Sequence, residues 1–140
     1  MSNYRIPRSL VHLTHKDMHS DIISRFEHVL LSEYSIGAHV AGEQLEQEFV
    51  QHIGHKYAIG VHSATMGMLI GLRACGVVEG DEVITVGNSD ISTTAAIHNV
   101  GATSVLCDIK MDDYTIDPDK VEALVTKRTT AILPLSLIHI

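Results

Sequence analysis

The 140-residue sequence contains no tryptophan, and its aromatic content is 4%. It therefore lacks the stacked-ring platform that holds single-stranded nucleic acid. Basic residues are also few. Ten Lys+Arg stand against 17 Asp+Glu, a formal net charge of −7 with a pI near 5.7. That balance argues against an electrostatic nucleic-acid binder, which would show a basic face. The two cysteines, Cys75 and Cys107, are too few for a disulfide framework and form no CxxC pair. Both read as small, buried apolar residues. No apolar run reaches about 18 residues, so no membrane span is expected. The N-terminal stretch MSNYRIPRSLVHLTHKD lacks the apolar centre of a signal peptide. A cytoplasmic location is the expectation.

What is present is ordinary globular composition, 45% apolar and 19% charged. The first 16 residues read as an irregular arm. Ile22, Ile23, Phe26, Val29 and Leu30 recur at helical spacing and predict a helix from Ser20 to Leu31. A loop with Gly37 and Gly42 follows. Leu45, Phe49 and Ile53 predict a second helix from Glu43 to Ile53, ended by Gly54.

Beyond Gly54 strands and helices alternate. Strands are expected at Tyr57–Val61, Glu82–Val86, Thr103–Cys107 and Ala131–Leu135. Between them, helices are expected at Thr65–Cys75, which reads as buried, at Ser92–Val100 and at Pro118–Thr126. Asp117 is the expected N-cap of the last, with Pro118 in its first position. This alternation predicts an α/β fold with a parallel-rich sheet flanked by helices. The chain stops soon after the fourth expected strand, so the sequence reads as a truncated N-terminal piece of a longer protein.

Three segments carry chemical signals. Gly60-Val61-His62-Ser63-Ala64-Thr65-Met66-Gly67 leads from an expected strand into a helix. Its hydroxyl groups and the free N–H groups of the helix start suit a phosphate. Simple capping by Ser63 explains the same pattern. The segment is neither GxGxxG nor GxxxxGK[ST], which excludes the common dinucleotide and P-loop readings. Gly87-Asn88-Ser89-Asp90-Ile91-Ser92-Thr93-Thr94 follows the next expected strand, where α/β proteins bind ligands. Capping of the next helix by Asp90 or Ser92 is the alternative. His12, His15 and His19 lie close in sequence, but a metal site needs a fourth ligand that no spacing supplies. Surface histidines are the simpler reading, and no metal is expected.

In order along the chain, the stretches GEQLEQEFVQHIGHKYAIGVHSAT, GVVEGDEVIT, IHNVGATSVLCDI and YTIDPDKVEALVTKRTTAILP resemble the DegT/DnrJ/StrS family of pyridoxal-phosphate-dependent sugar aminotransferases. The match runs from about Gly37 to Pro134. It implies the first part of a type I aminotransferase large domain. Residues 1–55 are then an N-terminal arm and helices, 56–135 an incomplete cofactor-binding domain, and 136–140 a tail that departs from the family pattern. The resemblance implies pyridoxal 5′-phosphate as cofactor, an amino-acid donor, a nucleotide-linked keto-sugar acceptor and a homodimer at full length. It also implies a role in polysaccharide or secondary-metabolite biosynthesis.

Residue by residue, Ser63-Ala64-Thr65 aligns with the family turn that binds the cofactor phosphate. Asp90 stands where the family usually stacks an aromatic ring on the cofactor, and Thr93 aligns with a small hydroxylic position nearby. The family's Schiff-base lysine and its ring-pairing aspartate match no residue of this chain. No catalytic residue is therefore assigned, and the 140-residue chain alone is expected to be inactive. Two alternatives stay open: a dehydratase on the same scaffold, with histidine in the lysine's place, and a non-catalytic α/β ligand-binding module. Asp90 is the argument for the second.

Overall fold

The computed structural model describes residues 15–31 and 40–135. Most of the expected arm, including His12, lies outside the described residues, as do Gly37 and the tail 136–140. The molecule divides into two compact units between Gly60 and Val61.

The first unit contains α1 (His19–Leu31) and α2 (Val40–Ile53). Ion pairing of Arg25 with Asp21 at 3.1 Å spans one turn of α1. α2 begins three residues before the expected Glu43 and takes in Gly42. Gly54, with φ +68°, closes the helix as expected. The predicted apolar stripes form, but neither helix contains a buried residue. Phe26 is 61% exposed and Phe49 50%.

The expected strand at Tyr57–Val61 is not formed. Its apolar, β-prone composition favours an extended chain. A strand also requires a neighbour for its N–H and C=O groups, and the sheet pairs none with this segment. Ile59 accordingly stands 80% exposed. The Gly60 N–H at its end is donated to Glu46 Oε1 at 2.6 Å.

The second unit runs α3 (Ala64–Ala74), β1 (Glu82–Val86), α4 (Ile91–Asn99), β2 (Thr103–Cys107), α5 (Pro118–Leu124) and β3 (Thr129–Leu133). Its sheet has three strands rather than the four expected, in the order β2-β1-β3, all parallel. β1 pairs with β2 in unbroken register from Glu82↔Thr103 to Val86↔Cys107. Against β3 the register slips once, from Glu82↔Thr129 to Val83↔Ala131. Every residue of β1 is buried, the expected state of a central parallel strand covered on both faces. Val83, Ala96, Ile97, Val100 and Ala102 form the core with Leu72 and Val77.

α3 and α4 pack on one another. The expectation of a buried α3 needs correction: Leu72 is its one buried residue, while Ile70 is 47% exposed. Cys75 is exposed rather than buried, because it is the C-cap of α3 and sits at the rim; Cys107 is buried as expected. The expected cap of α5 is in place, Asp117 accepting the Asp119 N–H at 3.1 Å.

A polar clasp secures the start of β1. The Glu82 side chain is 8% exposed, accepts Thr126 Oγ1–H at 2.6 Å and is ion-paired with Arg128. Its own N–H donates to the Arg128 carbonyl at 2.8 Å. The Thr126 hydrogen bond, then the Arg128 guanidinium, hold this carboxyl below its ordinary pKa against the opposing effect of desolvation.

Candidate functional site

Ser63 precedes α3 in extended backbone, φ −162° and ψ 156°. Its Oγ accepts the Met66 N–H at 3.2 Å, and its carbonyl accepts the Gly67 N–H at 3.0 Å. Those two bonds use the third and fourth N–H groups of the helix. The first two, on Ala64 and Thr65, precede any intrahelical acceptor and face outward from the helix start. Ser63 and Ala64 are exposed and Thr65 is half-buried. The hydroxyl of Ser63 caps through a lone pair, so its hydrogen remains free to donate. Capping and phosphate binding are therefore compatible at this residue.

The charge around the helix starts differs. α1 has Asp21 in its first turn, α2 has Glu43, and α5 has both Asp117 and Asp119. α4 is capped by Asp90. Among the described helices, α3 has no acidic residue at its N-cap or in its first turn. Its positive dipole end is left uncompensated and open to an anion.

The second segment caps α4. Asp90 Oδ1 accepts the Ser92 N–H at 2.9 Å and the Ser92 hydroxyl at 2.7 Å. The backbone bond first, then the hydroxyl, hold its pKa below the ordinary aspartate value. Asp90 is exposed and ionised, and it follows the C-terminal end of β1. Thr93 is fully buried, with its Oγ1 2.7 Å from Ser89 Oγ. The structure thus groups Asp90, Ser92, Thr93 and Ser89 in one capping cluster. Ser63–Thr65 form the other, on the helix that packs against α4. Ser89 was given no role from the sequence. Its signal was the i, i+4 hydroxyl pair with Thr93 bracketing a cap.

His15 and His19 are both exposed. Among the described residues, no three His, Cys, Asp or Glu side chains converge as a metal site. No described helix is long and apolar enough to cross a membrane.

The second unit is thus a parallel α/β unit in which the helix before β1 starts free of acidic residues. The DegT/DnrJ/EryC1/StrS aminotransferase family matches residues 16–138, and the chain belongs to that family. It is 43% identical over 93 residues to the spore coat polysaccharide biosynthesis protein SpsC of Bacillus subtilis, covering 66% of this chain and 24% of SpsC. It is 40% identical over 95 residues to the dTDP-3-amino-3,4,6-trideoxy-alpha-D-glucose transaminase of Micromonospora megalomicea, covering 68% of this chain and 25% of that enzyme. The crystal structure of NtdA from Bacillus subtilis with bound cofactor PMP superposes with a TM-score of 0.79 at 34% identity, over 86% of this chain and 28% of NtdA. The chain thus spans about a quarter of the length of these curated relatives.

Proposed function

We propose that this chain is the N-terminal part of a pyridoxal-phosphate-dependent sugar aminotransferase, and that the Ser63–Thr65 turn holds the cofactor phosphate. The observation that carries this reading is the start of α3. It offers the Ser63 hydroxyl hydrogen and the Ala64 and Thr65 N–H groups, with no carboxylate in its first turn. This donor set fits a phosphate dianion, and the Thr65 hydroxyl adds a further donor. The PMP held by NtdA, and the transaminase name of the Micromonospora relative, support the same group here.

When bound, the cofactor supplies an aldehyde that carries the amino group and a ring that draws electrons from the substrate. The residues of this chain bind and orient. Ser63, Ala64 and Thr65 anchor the phosphate. Asp90 presents an ionised edge instead of an aromatic face, and one of its oxygens is occupied in capping α4. Thr93 is buried and acts on the site by fixing the Ser89 hydroxyl.

The proposed reaction moves an amino group from an amino-acid donor to a nucleotide-linked keto-sugar. The proposed setting is a cytoplasmic homodimer serving polysaccharide or secondary-metabolite synthesis. Residues 56–135 form the incomplete cofactor domain, preceded by arm and helices over 1–55. The proposed lysine and ring-pairing aspartate lie outside the 140 residues. Assayed at the length of its relatives, the protein should aminate a nucleotide-linked keto-sugar, and the 140-residue chain should not. Turnover by the 140-residue chain, or none by the longer one, overturns the reading.

A further inference from the structure

We propose that Ser89 donates its hydroxyl hydrogen to the uncharged, hydroxyl-bearing end of the ligand whose phosphate rests on the start of α3, and that Thr93 is the positioning residue that turns it there. The proposal rests on the reading of Ser63–Thr65 given above. Thr93 is fully buried, and its Oγ1 stands 2.7 Å from Ser89 Oγ. Among the described residues no buried side-chain oxygen lacks a hydrogen-bond partner. A buried hydroxyl hydrogen left without an acceptor costs about 1–3 kcal/mol. Thr93 is therefore the donor of the pair and Ser89 the acceptor. Ser89 is half-buried, and its own hydroxyl hydrogen is left to donate outward.

Ser89 stands where such a donor can be used. It follows the C-terminal end of β1, the central strand, and parallel sheets take their ligands beyond those ends. Residues 87–90 lead from β1 into α4, and residues 75–81 lead from α3 into β1. α4 thus starts at the end of β1, and α3 finishes at its beginning. The two helices pack on one another, so both run back along the strand and their starts share one edge of the sheet. The two starts differ in charge. α3 has no acidic residue there, whereas α4 has the Asp90 carboxylate. A phosphate dianion is favoured at the first and repelled from the second. The part of the ligand that reaches α4 is then the uncharged one, and an oxygen on it accepts the Ser89 hydrogen.

The test uses the 140-residue chain with two probes. Pyridoxine 5′-phosphate is an alcohol that cannot form a Schiff base with its lysines, and inorganic phosphate lacks the hydroxyl-bearing end. Wild type should bind the first more tightly than the second. Ser89→Ala should weaken pyridoxine 5′-phosphate roughly three- to tenfold, the scale of one lost hydrogen bond, and leave inorganic phosphate unchanged. Thr93→Val should weaken the same probe alone, because it leaves the Ser89 hydroxyl unaimed. Thr93→Ser keeps the donor and should stay within about twofold of wild type. Added to Ser89→Ala, Thr93→Val should bring no further loss, since it acts only through Ser89. Several outcomes overturn the inference and leave the phosphate turn standing: both probes bound equally by wild type, no weakening in Ser89→Ala, equal weakening of both probes, a serine variant as poor as valine, or additive losses in the double variant. A wild type that binds neither probe removes the turn's assignment and this inference with it.

Discussion

Ser63 combines two properties that substitution can separate. Ser63→Ala removes the cap acceptor and should lower stability by roughly 0.5–2 kcal/mol. Ser63→Asp restores the cap but sets a carboxylate where the anion would sit. It should melt like wild type and lose preference for pyridoxine 5′-phosphate over pyridoxine, which a paired melting and titration experiment reads directly. Glu82 makes a pH prediction. Its native pKa lies below the ordinary value, so its stabilising effect is complete above the unfolded pKa of about 4.3 and is lost as pH falls through the native one. Glu82→Gln should melt lower than wild type at pH 7, and its stability should fall less steeply between roughly pH 5 and 3. The caps at Ser63, Asp90 and Asp117 could be read from sequence because acceptor and donor lie two or three residues apart. The Glu82 clasp could not, because nothing local to Glu82 announces Thr126 or Arg128.

The elements read best where one short pattern decides them. β1 and β2 have the bounds expected from sequence, since each is a short apolar run between turn signals. Tyr57–Val61 carries the same signal and forms no strand, because composition states a preference for extension and nothing about a partner. The turn between Ile109 and Ile116 was equally hidden. Tyr114 there adopts φ +58°, and Asp113 braces the turn by accepting the N–H and hydroxyl of Thr115. The glycine after α4 makes a quantitative prediction. Gly101 has φ +85°, and a Cβ there would fall 2.9 Å from Glu79 Cβ. Gly76, after α3, has φ +87° and nothing within 4 Å of the same position. Gly76→Ala should cost the left-handed penalty alone, roughly 1–2 kcal/mol. Gly101→Ala should cost that plus a clash of roughly 1–3 kcal/mol. Denaturant melts of the two variants compare them on one scale.

At the scale of the molecule, alternation of strands and helices marked the α/β class and parallel strands, and the family resemblance is what singles out Ser63–Thr65 as the proposed phosphate turn. Burial was harder to read, because an apolar stripe predicts a face and not what covers it. Phe26 on α1 and Phe49 on α2 remain open to solvent in the first unit. Such faces promote self-association. The 140-residue chain should sediment as larger species with rising concentration, and Phe49→Glu should suppress this without lowering the melting temperature. The strand order has a consequence for synthesis. Among the described strands β1 leaves the ribosome before β2 and β3, yet it lies between them, so neither of these neighbours exists when it emerges. β2 arrives next and satisfies one side; Arg128 and Thr126, which clasp Glu82, are translated just ahead of β3. The nascent sheet therefore cannot close gradually. It waits half-made with an ionised glutamate at its entrance, until β3 pairs with β1 and that charge is clasped in the same event.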